Sequence, residues 1–159
     1  MTKHVTSLIA AAFECETCRR SFDAPVTPHS YDDALAYSVS NHDLAVIPVS
    51  SAGAAAIFDV LRRDPRYQCL PAPRASDVSM WVWDRLADDA PGGGRYRTSD
   101  RPPCPHCQSW DTRFVRRHET YIERRLLPEV SFESFLAMPA KICEERVQQL
   151  FAEALGAGL

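Results

Sequence analysis

Two Cys-x-x-Cys pairs constrain this chain more than any other feature: Cys15 and Cys18 in "FECETCRRSF", and Cys104 and Cys107 in "RPPCPHCQSW". A Cys-x-x-Cys turn presents two sulfurs on one side while nearby backbone N–H groups point toward them. Two such turns together supply the tetrahedral four-sulfur shell that zinc accepts. Cys15, Cys18, Cys104 and Cys107 therefore form one candidate zinc site, although 85 residues lie between Cys18 and Cys104. A shared ion demands a fold that closes that interval. Four thiolate ligands leave no coordination position for water, so zinc held this way is structural rather than hydrolytic. His106 lies inside the tight turn between Cys104 and Cys107, which directs it to solvent or to a partner rather than to the ion.

"CETC" and "CPHC", with their immediate flanks, resemble the two knuckles of a zinc ribbon. The resemblance implies a small antiparallel sheet on which the knuckles meet, with Phe13 and Phe22 covering the first. Ribbons usually have a much shorter interval, as though a domain had here been inserted into the ribbon's loop. The expected class is α+β: a mixed α/β core joined to a discontinuous zinc ribbon. Residues 1–26 and 100–127 form the ribbon, 27–99 an inserted α/β region, and 128–159 a helical region packed on the core. Ribbons serve nucleic-acid proteins, enzymes and adaptors alike, so the resemblance selects no reaction.

Local patterns fill in the elements. "VTSLIAAAFE" leads into Cys15 as a strand or a helix. "DAPVTPHS", with Pro25 and Pro28, reads as a turn-rich connection, and "SYDDALAYSVS" as a helix capped by Ser30 with Asp33 in its first turn. "LAVIPVS" reads as a buried strand ended by Pro48. "SSAGAAAIFDVLRRDP" reads as a helix capped by Ser51 and stopped at Pro65. "YQCLPAPRA" suggests a linker. "SDVSMWVWDRLADDA" suits either a helix capped by Ser76 or a strand. "PGGGRYRTSDRPP" looks the least regular. "DTRFVRRHETYIERRLLP" suggests a strand or a two-strand ribbon turning near His118–Thr120, with a helix as competitor. The last segment ends in a helix with Ile142, Val147, Leu150, Phe151 and Ala154 as its apolar stripe, Pro139 in its first turn and Gly156 at its C-cap.

Composition narrows the function. With 159 residues, 45% hydrophobic and 25% charged, the chain suits an ordinary globular fold. Its net charge of −3 provides no global field for nucleic acid or an anionic membrane. No uninterrupted apolar run reaches membrane-spanning length, and the start lacks a signal-peptide layout. The expected location is cytoplasmic, where paired cysteines serve as metal ligands or catalytic thiols more often than as disulfides. Cys69 and Cys143 lie outside the pairs and read as small buried hydrophobes.

Three functions compete. "CPHC" matches strongly oxidising thioredoxin-like sites in spacing and content, with Cys104 as the exposed nucleophile. Such a site opens a helix after a buried strand, and neither flank supplies one. Arg113, Arg116, Arg117, Arg124 and Arg125, interleaved with Trp110, Phe114 and Tyr121, could contact phosphates and bases, which makes a nucleic-acid-binding zinc ribbon the main alternative. Glu119 and Glu123 offer these arginines intramolecular partners instead. No hydrolase, metalloprotease or phosphate-loop motif is present. The leading expectation is a non-catalytic, zinc-stabilised protein-interaction module, an adaptor or an inhibitor such as a bacterial toxin-immunity protein. Its partner is another protein, met through Trp81, Trp83, Trp110 and the five arginines.

Overall fold

A computed structural model describes residues 2–28 and 33–159, with backbone alone at 119–122. In chain order the elements are β1 (Lys3–Cys15), β2 (Ser21–Val26), β3 (Asp33–Ser38), β4 (Leu44–Pro48), α1 (Ala52–Arg63), α2 (Pro65–Gln68), α3 (Ala72–Leu86), β5 (Tyr96–Thr98), β6 (Thr112–Pro128), α4 (Glu133–Leu136) and α5 (Ala140–Gly156). The strands make two antiparallel sheets, ordered β2-β1-β6 and β4-β3-β5. The protein is α+β.

The smaller sheet is buried on both faces, and the pleat decides what each face meets. Ala36, Ala45, Ile47 and Tyr96 join the helical core, where Ile57 and Leu61 of α1, Val78 and Val82 of α3 and Val147, Leu150 and Phe151 of α5 are buried. Leu35, Tyr37 and Val46 point the other way and meet Leu8 of β1 and Leu127 of β6. The layers are therefore helices, small sheet, and one half of the long sheet. After β6 the chain runs beside β4, where the Val130 N–H donates to the Val46 carbonyl at 2.9 Å.

The other half of the long sheet projects as a three-stranded ribbon. Phe13 pairs with Phe22 on one side and Phe114 on the other, with both ring centroids at 5.8 Å. Phe13 is fully buried within this ladder, worth about 1.5–3 kcal/mol by apolar burial. Two register shifts interrupt β1 against β6. One lies between Ile9 and Ala11, whose partners are Ile122 and Arg117, and the other between Ala12 and Phe13. The extra residues lie on β6, and such bulges increase the local twist of a sheet.

Several elements differ from the sequence expectation. "DAPVTPHS" begins as β2 rather than a turn, because β2 is an edge strand and tolerates Pro25 where no ladder N–H is needed. "DALAYS" is β3, not a helix: its small and apolar residues fill both faces of a central strand. The proposed cap Ser30 lies outside the described residues. α3 starts at Ala72, before Ser76, with Pro71 at its N-cap and Pro73 in its first turn. Tyr96 anchors a short strand in the glycine-rich stretch, and β6 is continuous, bulged where a turn near His118 was expected. Ile142 is 46% exposed, outside the buried stripe of α5. α1 matches its expectation, with the Ser51 hydroxyl accepting the Ala54 N–H at 3.3 Å. Gly53, in its first turn, is required by crowding: an added Cβ would lie 2.4 Å from Cβ of Phe132.

Candidate metal centre

The two Cys-x-x-Cys turns have the same backbone geometry. In the first, the Cys15 N–H donates to the Arg20 carbonyl and the Arg19 N–H to the Cys15 carbonyl, both at 2.9 Å. In the second, the Cys104 N–H donates to the Ser109 carbonyl and the Gln108 N–H to the Cys104 carbonyl, both at 2.8 Å. The residue after the second cysteine is left-handed in each, Arg19 at φ 61° and Gln108 at φ 63°. Neither is glycine, so each turn carries about 1–2 kcal/mol of backbone strain. That conformation curls the turn around its sulfurs, and the Cys18 N–H lies 3.5 Å from Cys15 Sγ.

β1 and β6 bring the turns together, one following β1 and the other preceding β6. The four sulfurs lie within 4.8 Å of one another, with Cys15 to Cys107 at 3.5 Å and Cys18 to Cys104 at 3.7 Å. None forms a disulfide. Tetrahedral coordination at a metal–sulfur distance of about 2.3 Å places sulfurs about 3.8 Å apart, so the cluster can hold a metal ion with small adjustments. Cys15 and Cys104 are buried, Cys18 is half-buried and Cys107 is exposed. The site is thus sealed from the ribbon side and open at one edge.

Electrostatics favours a cation there. The Cys18 N–H, opposed by burial and helped by the Cys107 thiol, pulls the Cys15 thiol down to about 6. At Cys107 the Ser109 N–H acts in the lowering direction, but local desolvation of the sulfur, whose residue is otherwise exposed, and the thiols of Cys15, Cys18 and Cys104 outweigh it and push the group up to about 12. The Cys15 thiolate forms readily, and Cys107 holds its proton because a second negative charge would be crowded against the first. A divalent ion relieves that crowding.

Residues outside the cysteines clamp the turns to each other. Thr17 and Ser109 share a hydroxyl hydrogen bond of 2.8 Å, and the Glu16 N–H donates to the Asp111 carbonyl at 2.9 Å. Arg113 reaches Glu14 at 2.8 Å and Glu16 at 3.1 Å, while Arg19 also meets Glu16 at 2.6 Å. These partners were missed in the sequence, because Arg113 and Ser109 lie far along the chain from Glu14, Glu16 and Thr17.

The other candidate residues are scattered. Trp83 is buried at 3% exposure against Phe58, so it belongs to the core and cannot anchor a partner; its indole Nε1 has no hydrogen-bond partner among the described residues. Trp81 is half-buried with the Arg85 guanidinium 3.3 Å from its ring centre. Trp110 is half-buried among Tyr37, His42 and Arg97. Arg125 is paired with Glu123 at 2.8 Å, which, with the Arg113 pairs, neutralises two of the five arginines. Arg116, Arg117 and Arg124 are exposed. The side chains of Glu119 and Tyr121 lie outside the described residues. Cys69 is exposed and so is not the buried hydrophobe expected, whereas Cys143 is half-buried and packs against the helical core. His106 is exposed. Cys104 is fully buried and its turn runs into β6 without opening a helix, the opposite of what an attacking thiol needs.

No helix among the described residues is long and apolar enough to cross a membrane. No protein-family model, curated protein or solved structure matches the chain.

Proposed function

We propose that the chain is a non-catalytic protein-interaction module, an adaptor or inhibitor, whose ribbon is stabilised by one structural zinc ion on Cys15, Cys18, Cys104 and Cys107. The observation that carries the zinc assignment is the closed set of four sulfurs, two from each of two matching turns, at separations suited to tetrahedral thiolate coordination. Zinc accepts that donor set without redox chemistry, and with all four positions filled by sulfur it contributes folding energy.

The interaction role rests on what the long sheet presents. Phe114 and Val115 on the ribbon, beside Arg116 and Arg117, and Val5 and Leu126 at the other end of β1 and β6, beside Arg124, are large apolar side chains left about half exposed. Apolar area beside arginine is the usual makeup of a protein-binding surface. Internal pairing of Arg113 and Arg125 reduces the continuous cationic track that nucleic acid would follow.

Affinity capture with zinc-loaded protein tests this, comparing the natural chain with Arg116→Glu/Arg124→Glu. The expected result is a protein bound in simple stoichiometry, retained after nuclease treatment and lost with the double variant. Recovery of nuclease-sensitive nucleic acid in its place would favour the nucleic-acid alternative.

A further inference from the structure

A cleft of about 290 Å³ opens between the ribbon and the small sheet, its described lining including Pro25, Val26, Leu35, Phe114, Arg101 and Arg117, with Asp100 beside them. Pro25 and Val26 come from β2, Phe114 and Arg117 from β6, and Leu35 from β3, so the cleft lies where the ribbon meets the small sheet. Its apolar lining is anchored on both sides. Leu35 is nearly buried in the cluster that joins the two sheets, and Phe114 leans edge-on against Phe13. Arg117 donates to the Pro28 carbonyl at 3.2 Å, which holds its guanidinium at this rim.

Size and charge restrict the occupant. The volume sits just below the roughly 300–1,000 Å³ usual for small-molecule sites, which suits one large apolar side chain better than a cofactor. Among the described residues, the lining carries two guanidinium groups against one carboxylate. Arginine forms forked hydrogen bonds to carboxylates, so acidic residues flanking the inserted side chain find partners. A second copy of this chain in a two-fold contact would bring the same arginines face to face, and like charges repel.

We infer that this cleft is the docking site for an acidic segment of a partner protein, which inserts an aromatic or aliphatic side chain between Leu35 and Phe114 and places carboxylates on Arg101 and Arg117. The inference deepens the protein-interaction role and rests on it. Binding at such a rim weakens as salt rises, because exposed charges are screened.

The test selects from a display library of short random peptides on the zinc-loaded full chain, then measures the enriched peptides by fluorescence anisotropy. Enrichment of an aromatic or aliphatic residue next to Asp or Glu is expected. Arg101→Glu and Arg117→Glu should each weaken binding about tenfold, as an attraction becomes a repulsion. Asp100→Asn should tighten binding about twofold, the opposite direction from a merely disruptive change. Each variant is used only after it shows bound metal and circular dichroism equal to the natural chain. Phe114→Leu serves as a second, milder probe of the apolar wall. Enriched peptides that are basic or uncharged, or that bind all the variants equally, would overturn the cleft assignment while leaving a protein-binding role elsewhere on the chain. Failure to enrich any peptide would overturn the cleft assignment, and that failure together with tight binding of a single-stranded oligonucleotide would overturn both.

Discussion

Asp84 gives the account a quantitative test away from the metal centre. Its carboxylate accepts the Thr98 N–H at 2.7 Å and the Thr98 hydroxyl at 2.6 Å, tying α3 to β5. Burial raises it from an ordinary 3.8 to about 6, against the lowering effect of Thr98, Arg85 and Arg97. The folded state therefore binds this proton more tightly than the unfolded chain. Its contribution to stability is fully present below about pH 4 and is lost as pH rises through about 6. At about 1.4 kcal/mol per pH unit, the loss amounts to about 3 kcal/mol. Asn resembles the protonated carboxyl in shape and keeps an oxygen to accept from Thr98. Asp84→Asn should thus match the natural chain near pH 4 and exceed it by about 3 kcal/mol at pH 7. In urea unfolding of the zinc-saturated proteins this separates the midpoints by about 1.5 M, for a slope of about 2 kcal/mol per M. Comparing the two proteins at each pH cancels protonation of the cysteines, which is common to both. Parallel pH profiles, or a variant that loses its advantage as pH rises, would refute the reasoning.

Other expectations follow from single contacts. Gly53→Ala should destabilise by about 1–2 kcal/mol despite adding a better helix former, since its Cβ meets Phe132; thermal unfolding gives the sign directly. Gln108→Gly should stabilise by about 0.5–1 kcal/mol by removing left-handed strain while leaving zinc content unchanged. Cys18→Ser should abolish stoichiometric metal binding and loosen the ribbon, seen as faster amide exchange in β2, whereas Cys69→Ser should change stability by less than about 0.5 kcal/mol. Thr17→Val should raise the rate at which a chelator removes the metal, because the two turns lose the hydroxyl bond between Thr17 and Ser109.

Legibility in the sequence followed how local the deciding physics is. The cysteine turns were readable because metal chemistry needs two sulfurs at that spacing whatever surrounds them. α1 was readable because Ser51, the alanine run and Pro65 are signals within a single element. β3 was not: "SYDDALAYS" carries capping signals locally, and only burial between helices on one side and Leu8 and Leu127 on the other makes it a strand. Pro25 likewise hid β2, whose position at a sheet edge is a tertiary fact. The clamp formed by Arg113, Glu14 and Glu16 and the cleft at Leu35 and Arg117 join residues far apart in the chain, so no local pattern marks them. Trp83 illustrates the converse: an aromatic type common at interfaces is here enclosed in the core.

Metal stoichiometry tests the central claim most directly. Elemental mass spectrometry of protein purified without added metal should find about one zinc per chain, falling to background in Cys104→Ser, with chelation of the natural chain releasing zinc and exposing four reactive thiols at the cluster. A folded, metal-free chain that stays monodisperse and keeps its β1–β6 amide protection without zinc would contradict the account.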